Sequence, residues 1–300
     1  MILEKPLNEN LELIARQVVE GFILGLHKSP FHGFSVEFAE HRLYNPGDPL
    51  RHIDWRVYGR TDKLFVKRFE EETNLRCAIV LDTSSSMQFP EDDKRPSKMQ
   101  FSCICAASLL LLMKRQLDAS SLITFDEGVN YFSDCRSSNS HYRMLINELQ
   151  KTIDYQSKNK HTNAAAALHQ VADQMHKRSL VIIFSDMMDD NEQVEDLFAA
   201  MQHLKYNKHE VILFHVLDGQ MERDFEFENR PFEFVDLESG ERIKLQPRQI
   251  RDQYLARMKQ FTAMVENKCH QYRIDRVVAD LTHPAEEVLH SFLIKRNKLM

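Results

Sequence analysis

Glycine is scarce in this chain: eight residues in 300, spaced so that no G-x-G-x-x-G fingerprint, G-x-x-x-x-G-K-[ST] phosphate loop or G-x-S-x-G elbow occurs. Dinucleotide binding, P-loop nucleotide hydrolysis and elbow-type serine hydrolysis therefore lack their sequence marks. Cysteine is sparse and unpatterned. The five (Cys77, Cys103, Cys105, Cys135, Cys269) are odd in number and form no C-x-x-C pair, which argues against a disulfide framework and a zinc site and for reduced, buried thiols. The fourteen histidines include no H-E-x-x-H. Long apolar runs are missing too: the longest, Cys103 to Met113, falls well short of the ~20 residues that span a bilayer. The opening "MILEKPLNENLEL" is too acidic and polar for an export signal. A cytoplasmic protein without membrane insertion is the expectation.

What is present is the composition of a soluble globular protein, 43% hydrophobic and 28% charged, with a net charge of −6. That sign disfavours a general nucleic-acid binder. The aromatic, arginine-bearing stretch Phe31 to Arg76 raises the question again, yet it holds eight Lys/Arg against eight Asp/Glu. Balanced charge favours internal ion pairs or protein contact over phosphate binding, so no nucleic acid is expected as a partner. Trp55 and Tyr58 are expected to pack between this stretch and the main sheet, since tryptophan is highly buried on average.

Periodicity divides the chain. Asn8 to Ser29 carries apolar residues at helical spacing (Leu11, Ile14, Val18, Val19, Phe22), and Phe31 to Glu72, broken by the turn "NPGDP", reads as short strands. From Arg76, strands at Cys77–Leu81, Ser121–Phe125, Leu180–Phe184, Val211–Leu217 and Arg276–Val278 alternate with helices at Lys98–Leu117, His141–Thr152, Asn163–Lys177, Glu192–His203 and Gln249–Tyr272. Such alternation predicts βαβ units and an α/β fold with a doubly wound, mostly parallel sheet. Val129–Ser133 follows its predecessor through a short "DEG" turn and is expected antiparallel. Phe225 to Leu245, with "ESGE", predicts a hairpin. The division expected is 1–73, an N-terminal helix and small β-rich subdomain, and 74–300, the main domain.

In an open parallel sheet, ligands sit beyond the carboxyl ends of the strands, near the reversal of strand order. The first strand ends in Asp82-x-Ser84-x-Ser86, the third in "FSD" with Asp186, and Thr162 precedes the alanine-rich helix between them. Singly, each of these residues serves equally well as a helix cap. Together they make an oxygen-only set with two carboxylates, which suits Mg2+, a hard cation that retains several waters. A phosphoryl-accepting role for Asp82 would need a second aspartate two residues on, where Ser84 stands.

Asp82-x-Ser84-x-Ser86, Thr162 and Asp186 resemble the metal-ion-dependent adhesion site of the von Willebrand factor A fold. "VEFAEHRLYNPGDPLRHIDWRVYGRTDKLFVKRFEEETNLR" (Val36 to Arg76) closely resembles the signature of the bacterial domain of unknown function 58 family. The resemblance implies a von Willebrand factor A-like main domain in which Ser84, Ser86 and Thr162 bind Mg2+ (Mn2+ or Ca2+ as alternatives) and Asp82 and Asp186 act largely through water. It further implies a coordination position open to a protein partner's acidic residue, and a MoxR-type AAA+ ATPase as partner in a chaperone-like role. Departures are a lysine and histidine before Thr162, where adhesion sites often have glycine, and the segment Asp218 to Phe227, to which no role carries over. The expectation is a non-enzymatic assembly protein. Its competitors are an Mg-dependent hydrolase or phosphoryl-transfer enzyme using the same site, and a metal-free scaffold whose serines only cap.

Overall fold

The computed structural model describes residues 10–23, 35–44, 54–72, 75–91, 95–154, 164–175, 177–188, 191–237 and 240–299. Two compact units emerge: Phe31–Leu75, and Met1–Pro30 together with Arg76–Met300. The expected boundary near residue 73 grouped the first helix with the small subdomain. Instead, helix α1 (Leu11–Ile23) belongs to the large unit, and the small one is an insertion in the chain after it. The apolar stripe Leu11, Ile14, Ala15, Val18 and Val19 is buried there.

The small unit pairs β1 (Ser35–Leu43) with β2 (Phe65–Glu72) antiparallel, with a bulge between Phe38 and Glu40. Helix α2 (Trp55–Thr61) starts at Asp54, whose Oδ1 accepts from Arg56 N at 3.0 Å and Val57 N at 3.3 Å. It stops at Asp62, left-handed at φ 50°. A correction falls here. Trp55 is 62% exposed and Tyr58 39% exposed, in edge-on contact with each other at 6.1 Å between ring centroids. A seven-residue helix with no buried residue offers no core for them.

The large unit is built on β3 (Arg76–Asp82), α3 (Lys98–Arg115), β4 (Ala119–Phe125), β5 (Val129–Phe132), α4 (Asn139–Asp154), α5 (Ala164–Gln174), β6 (Leu180–Ser185), α6 (Asn191–Tyr206) and β7 (Glu210–Leu217). The hairpin β8 (Phe232–Val235) and β9 (Arg242–Leu245) follows, turning at Gly240 (φ 74°), then α7 (Pro247–Tyr272), β10 (Asp275–Asp280) and α8 (Ala285–Leu299). Six strands form the main sheet in the order β10-β7-β6-β3-β4-β5, parallel except for β5. Chain order thus reverses between β3 and β6.

Side chains alternate across this sheet. Ala78, Val80, Ile123, Val181, Ile183, Val211 and Leu213 share one buried cluster with α5, α6 and α7. On the other face α3 lies against β3, β4 and β7 and is itself flanked by α1, α4 and α8. Enclosure on all sides explains why every residue from Phe101 to Met113 is buried, a helix apolar all round. Its start is fixed by a capping box: Gln100 N donates to Ser97 Oγ at 3.2 Å and Ser97 N to Gln100 Oε1 at 3.1 Å. The expected elements all form, and α8, which periodicity had not marked, adds Val288, Leu289, Phe292 and Leu293 to the core.

Candidate metal centre at the sheet's carboxyl edge

Asp82 ends β3 and Asp186 directly follows β6, so the reversal of strand order sets two buried carboxylates side by side. The register Leu81↔Phe184 brings Ser185 opposite Asp82, and Ser185 Oγ donates to Asp82 Oδ2 at 2.8 Å. Asp82 Oδ1 accepts from Ser84 N at 3.0 Å, which folds the chain over the strand end into a single 3₁₀ turn, Ser85–Gln88. Ser84 stands at the cap position of that turn, but its hydroxyl makes no capping hydrogen bond. It lies 3.1 Å from Ser86 Oγ instead. The Ser84 hydroxyl also favours the charged form of Asp82, and the Ser86 hydroxyl that of Asp186, so the hydroxyl pair stands beside both carboxylates. Thr83, between Asp82 and Ser84 in sequence, points away and donates to Phe125 O at 2.8 Å.

Sequence reasoning missed the cation at the centre. Lys98, 1% exposed at the first turn of α3, donates to Asp186 Oδ2 at 2.6 Å and to Glu222 Oε1 at 2.7 Å. Glu222 lies in the segment Asp218 to Phe227, to which no role had been assigned. A single π turn, Gly219–Arg223, presents it: Asp218 Oδ1 accepts from Gln220 N and Met221 N at 2.9 and 3.0 Å, and Glu222 Oε2 accepts from Asp218 N at 2.8 Å. The turn is anchored to β10 through Gly219 N, which donates to Asp280 Oδ1 at 3.0 Å. A Cβ on Gly219 would clash with the Asp280 carboxylate. Gly219→Ala is therefore expected to lower stability by about 1–3 kcal/mol, through overpacking and a strained buried hydrogen bond. An unchanged urea midpoint would contradict this anchoring.

Charge is unevenly matched. Neighbouring carboxylates have their own cations, Asp218 with Arg95 at 3.2 Å and Asp280 with Arg223 at 2.9 Å. Asp186 and Glu222 share one ammonium, and Asp82 pairs with no cation among the described residues. Burial and the nearby Asp186 push the Asp82 carboxyl up to about 7, against the pull of its hydrogen bonds from Ser84 and Ser185. Asp186 is also penalised by burial, but Lys98 more than offsets this and holds it below the ordinary carboxylate range. Burial raises Glu222 despite Lys98. Lys98 is desolvated as well, yet Asp186 and Glu222 raise it and keep it charged. Beneath, burial and Arg276 push His215 down to about 4. Its Nδ1 accepts from Arg276 Nη2 at 2.8 Å, which leaves Nε2–H to donate to Asp186 O at 3.1 Å.

Of the five residues expected to form a metal site, Asp82, Ser84, Ser86 and Asp186 come together, and Thr162 lies outside the described residues. No group of three His, Cys, Asp or Glu gathers as a ligand set among the described residues. The four that converge offer two carboxylates and two hydroxyls, all hard oxygens with surplus negative charge, and this donor set fits Mg2+. Lys98 occupies Asp186 Oδ2, while Oδ1 accepts from Met188 N at 3.2 Å.

Comparison with known proteins places this edge in context. A family model described as "Protein of unknown function DUF58" matches residues 40–263. The chain belongs to this family. Uncharacterized proteins of Mycobacterium tuberculosis and Mycobacterium bovis are each 24% identical to the DUF58 chain over 208 residues, 69% of this chain and 63% of theirs. The chain thus spans less than two thirds of the length of those curated relatives. Among solved structures, an aerotolerance-related membrane protein from Bacteroides fragilis is similar over 75% of this chain and all of its own, at 15% identity and a TM-score of 0.47. The hypothetical protein BatB from Bacteroides thetaiotaomicron is similar over 75% of this chain and 99% of its own, at 14% identity and a TM-score of 0.44. Likenesses of this size carry no functional information. No described helix of the DUF58 chain is long and apolar enough to cross a membrane.

Proposed function

We propose that this DUF58 chain is a non-enzymatic, metal-dependent protein-interaction module, von Willebrand factor A-like, with its divalent ion at the Asp82–Asp186 edge. The observation that carries this reading is the pair of buried carboxylates with two serine hydroxyls beside them, next to a lysine already committed to Asp186 and Glu222. Ser84 and Ser86 would ligate the ion directly, with Thr162 as a further hydroxyl, and Asp82 and Asp186 would balance its charge. Mg2+ is the ion favoured; Mn2+ and Ca2+ share its preference for oxygen. When bound, the ion would supply a positive centre able to accept one acidic side chain from a partner. A MoxR-type AAA+ ATPase is the partner class proposed, on family resemblance. No disulfide links the five cysteines, and a reducing, cytoplasmic setting is the one proposed.

A metal-free scaffold is the reading to beat, and the absence of a capping bond from Ser84 weakens it. Ligand linkage separates the two. Saturating Mg2+ is expected to raise the melting temperature of the full chain, because an ion bound only by the folded state stabilises it. Asp82→Asn is expected to abolish that rise at little cost to the fold, since the amide oxygen still accepts from Ser84 N and the Ser185 hydroxyl can reverse its bond. A melting temperature indifferent to Mg2+, or one that rises equally in the variant, would contradict the proposal.

A further inference from the structure

We propose a second metal site, for an imidazole-seeking cation such as Zn2+, Ni2+ or Cu2+, formed by His169 on α5 and His203 on α6. The two Nδ1 atoms face each other 3.1 Å apart, with ring centroids at 5.4 Å and planes tilted by 42°. Without an ion, one Nδ1–H donates to the other, bare Nδ1. With an ion, both lone pairs are used. At a metal–nitrogen distance of about 2.0–2.1 Å, a 3.1 Å bite subtends roughly 100° at the ion, within the range of a slightly compressed tetrahedron; the rings stand end to end in the ion-free pair, so each turns by about 40° to aim its lone pair at the ion.

Asp173 supplies the orienting group. Its Oδ1 lies 3.6 Å from His203 Nε2, and it stands four residues after His169, on the same side of α5. A carboxylate beside Nε2 favours the proton there and leaves Nδ1 bare, the arrangement that aligns histidine ligands in metal sites. His203 is one-third exposed and His169 exposed, so an ion can reach the notch and keep its remaining positions for water. His209, next along the chain, is not a ligand: its Nδ1 accepts from Ser179 N at 3.1 Å, which commits Nε2 to carrying the proton.

Nitrogen ligands separate this site chemically from the oxygen-only edge, because Mg2+ seeks oxygen and imidazole suits Zn2+, Cu2+ and Ni2+. Topology separates the two sites in space. His203 lies in the last turn of α6, which runs back toward the start of β7, the opposite edge of the sheet from Asp186. The inference therefore stands independently of the proposed Mg2+ site.

The test is calorimetric titration of Zn2+ into the full chain with Mg2+ in excess. We expect one Zn2+ per chain, affinity lowered at least tenfold in both His169→Gln and His203→Gln, and unchanged affinity in the Ser84→Ala, Ser86→Ala double variant. Asp173→Asn is expected to weaken binding less than loss of either histidine, while still weakening it. The histidines are at the surface, and circular dichroism of each variant checks that its fold is retained. No Zn2+ binding by the wild-type chain, equal affinity in the histidine variants, or loss of binding in the serine variant would each overturn the proposal.

Discussion

Replacing Lys98 with methionine is expected to lower the stability of the large unit by about 3–5 kcal/mol in metal-free solution, the usual effect of stranding buried charge. Methionine approximates the length and bulk of the lysine stem, so the loss isolates the ammonium. Without it, Asp186 and Glu222 lose donors at 2.6 and 2.7 Å and stand buried with Asp82, no other cation pairing with the three among the described residues. The carboxylates must then take up protons or draw in water, and either response costs free energy. Urea unfolding of wild type and variant in a chelating buffer measures the difference. Added Mg2+ is expected to recover part of the loss, since an ion beside Asp82 and Asp186 restores positive charge. A variant as stable as wild type would mean that the ammonium is dispensable to this edge.

Asp186→Asn is expected to behave in the opposite way: a smaller stability loss, about 1–3 kcal/mol, with the metal response abolished. The asymmetry follows from charge counting. Removing the carboxylate leaves Lys98 paired with Glu222, one cation to one anion, and asparagine still offers an acceptor to the ammonium. The same change halves the carboxylate charge at the serines, and a hard divalent ion depends on that charge. Urea unfolding together with Mg2+ titration reads both effects. A stability loss exceeding that of Lys98→Met, or retained Mg2+ binding, would contradict this balance.

The sequence exposes much of this edge because its carriers are local. Buried parallel strands appear as short apolar runs such as "LVIIF", and their ends locate Asp82 and Asp186 to the residue. The serines follow within one turn of chain. Lys98 is different: its partners lie 88 and 124 residues away, and a lysine at the start of a helix ordinarily reads as solvated. Glu222 was equally hidden, because its position depends on a π turn clasped by Asp218 and Asp280. Trp55 was misread for a physical reason, that large aromatics need a core and α2 provides none. The misgrouped first helix has a similar origin. The apolar face of α1 requires a partner, and the nearest in space is α3, beyond the whole small unit in sequence. Periodicity marked the face but could not name what covers it.

The most direct test of the proposed function is isothermal titration of Mg2+ and of Mn2+ into the full chain, with the Ser84→Ala, Ser86→Ala double variant alongside. Saturable binding by the wild type that disappears in the variant is the predicted result, and it would justify a search for the acidic partner. Absence of binding in the wild type, or identical binding in both proteins, would contradict a metal centre at the Ser84–Ser86 hydroxyl pair.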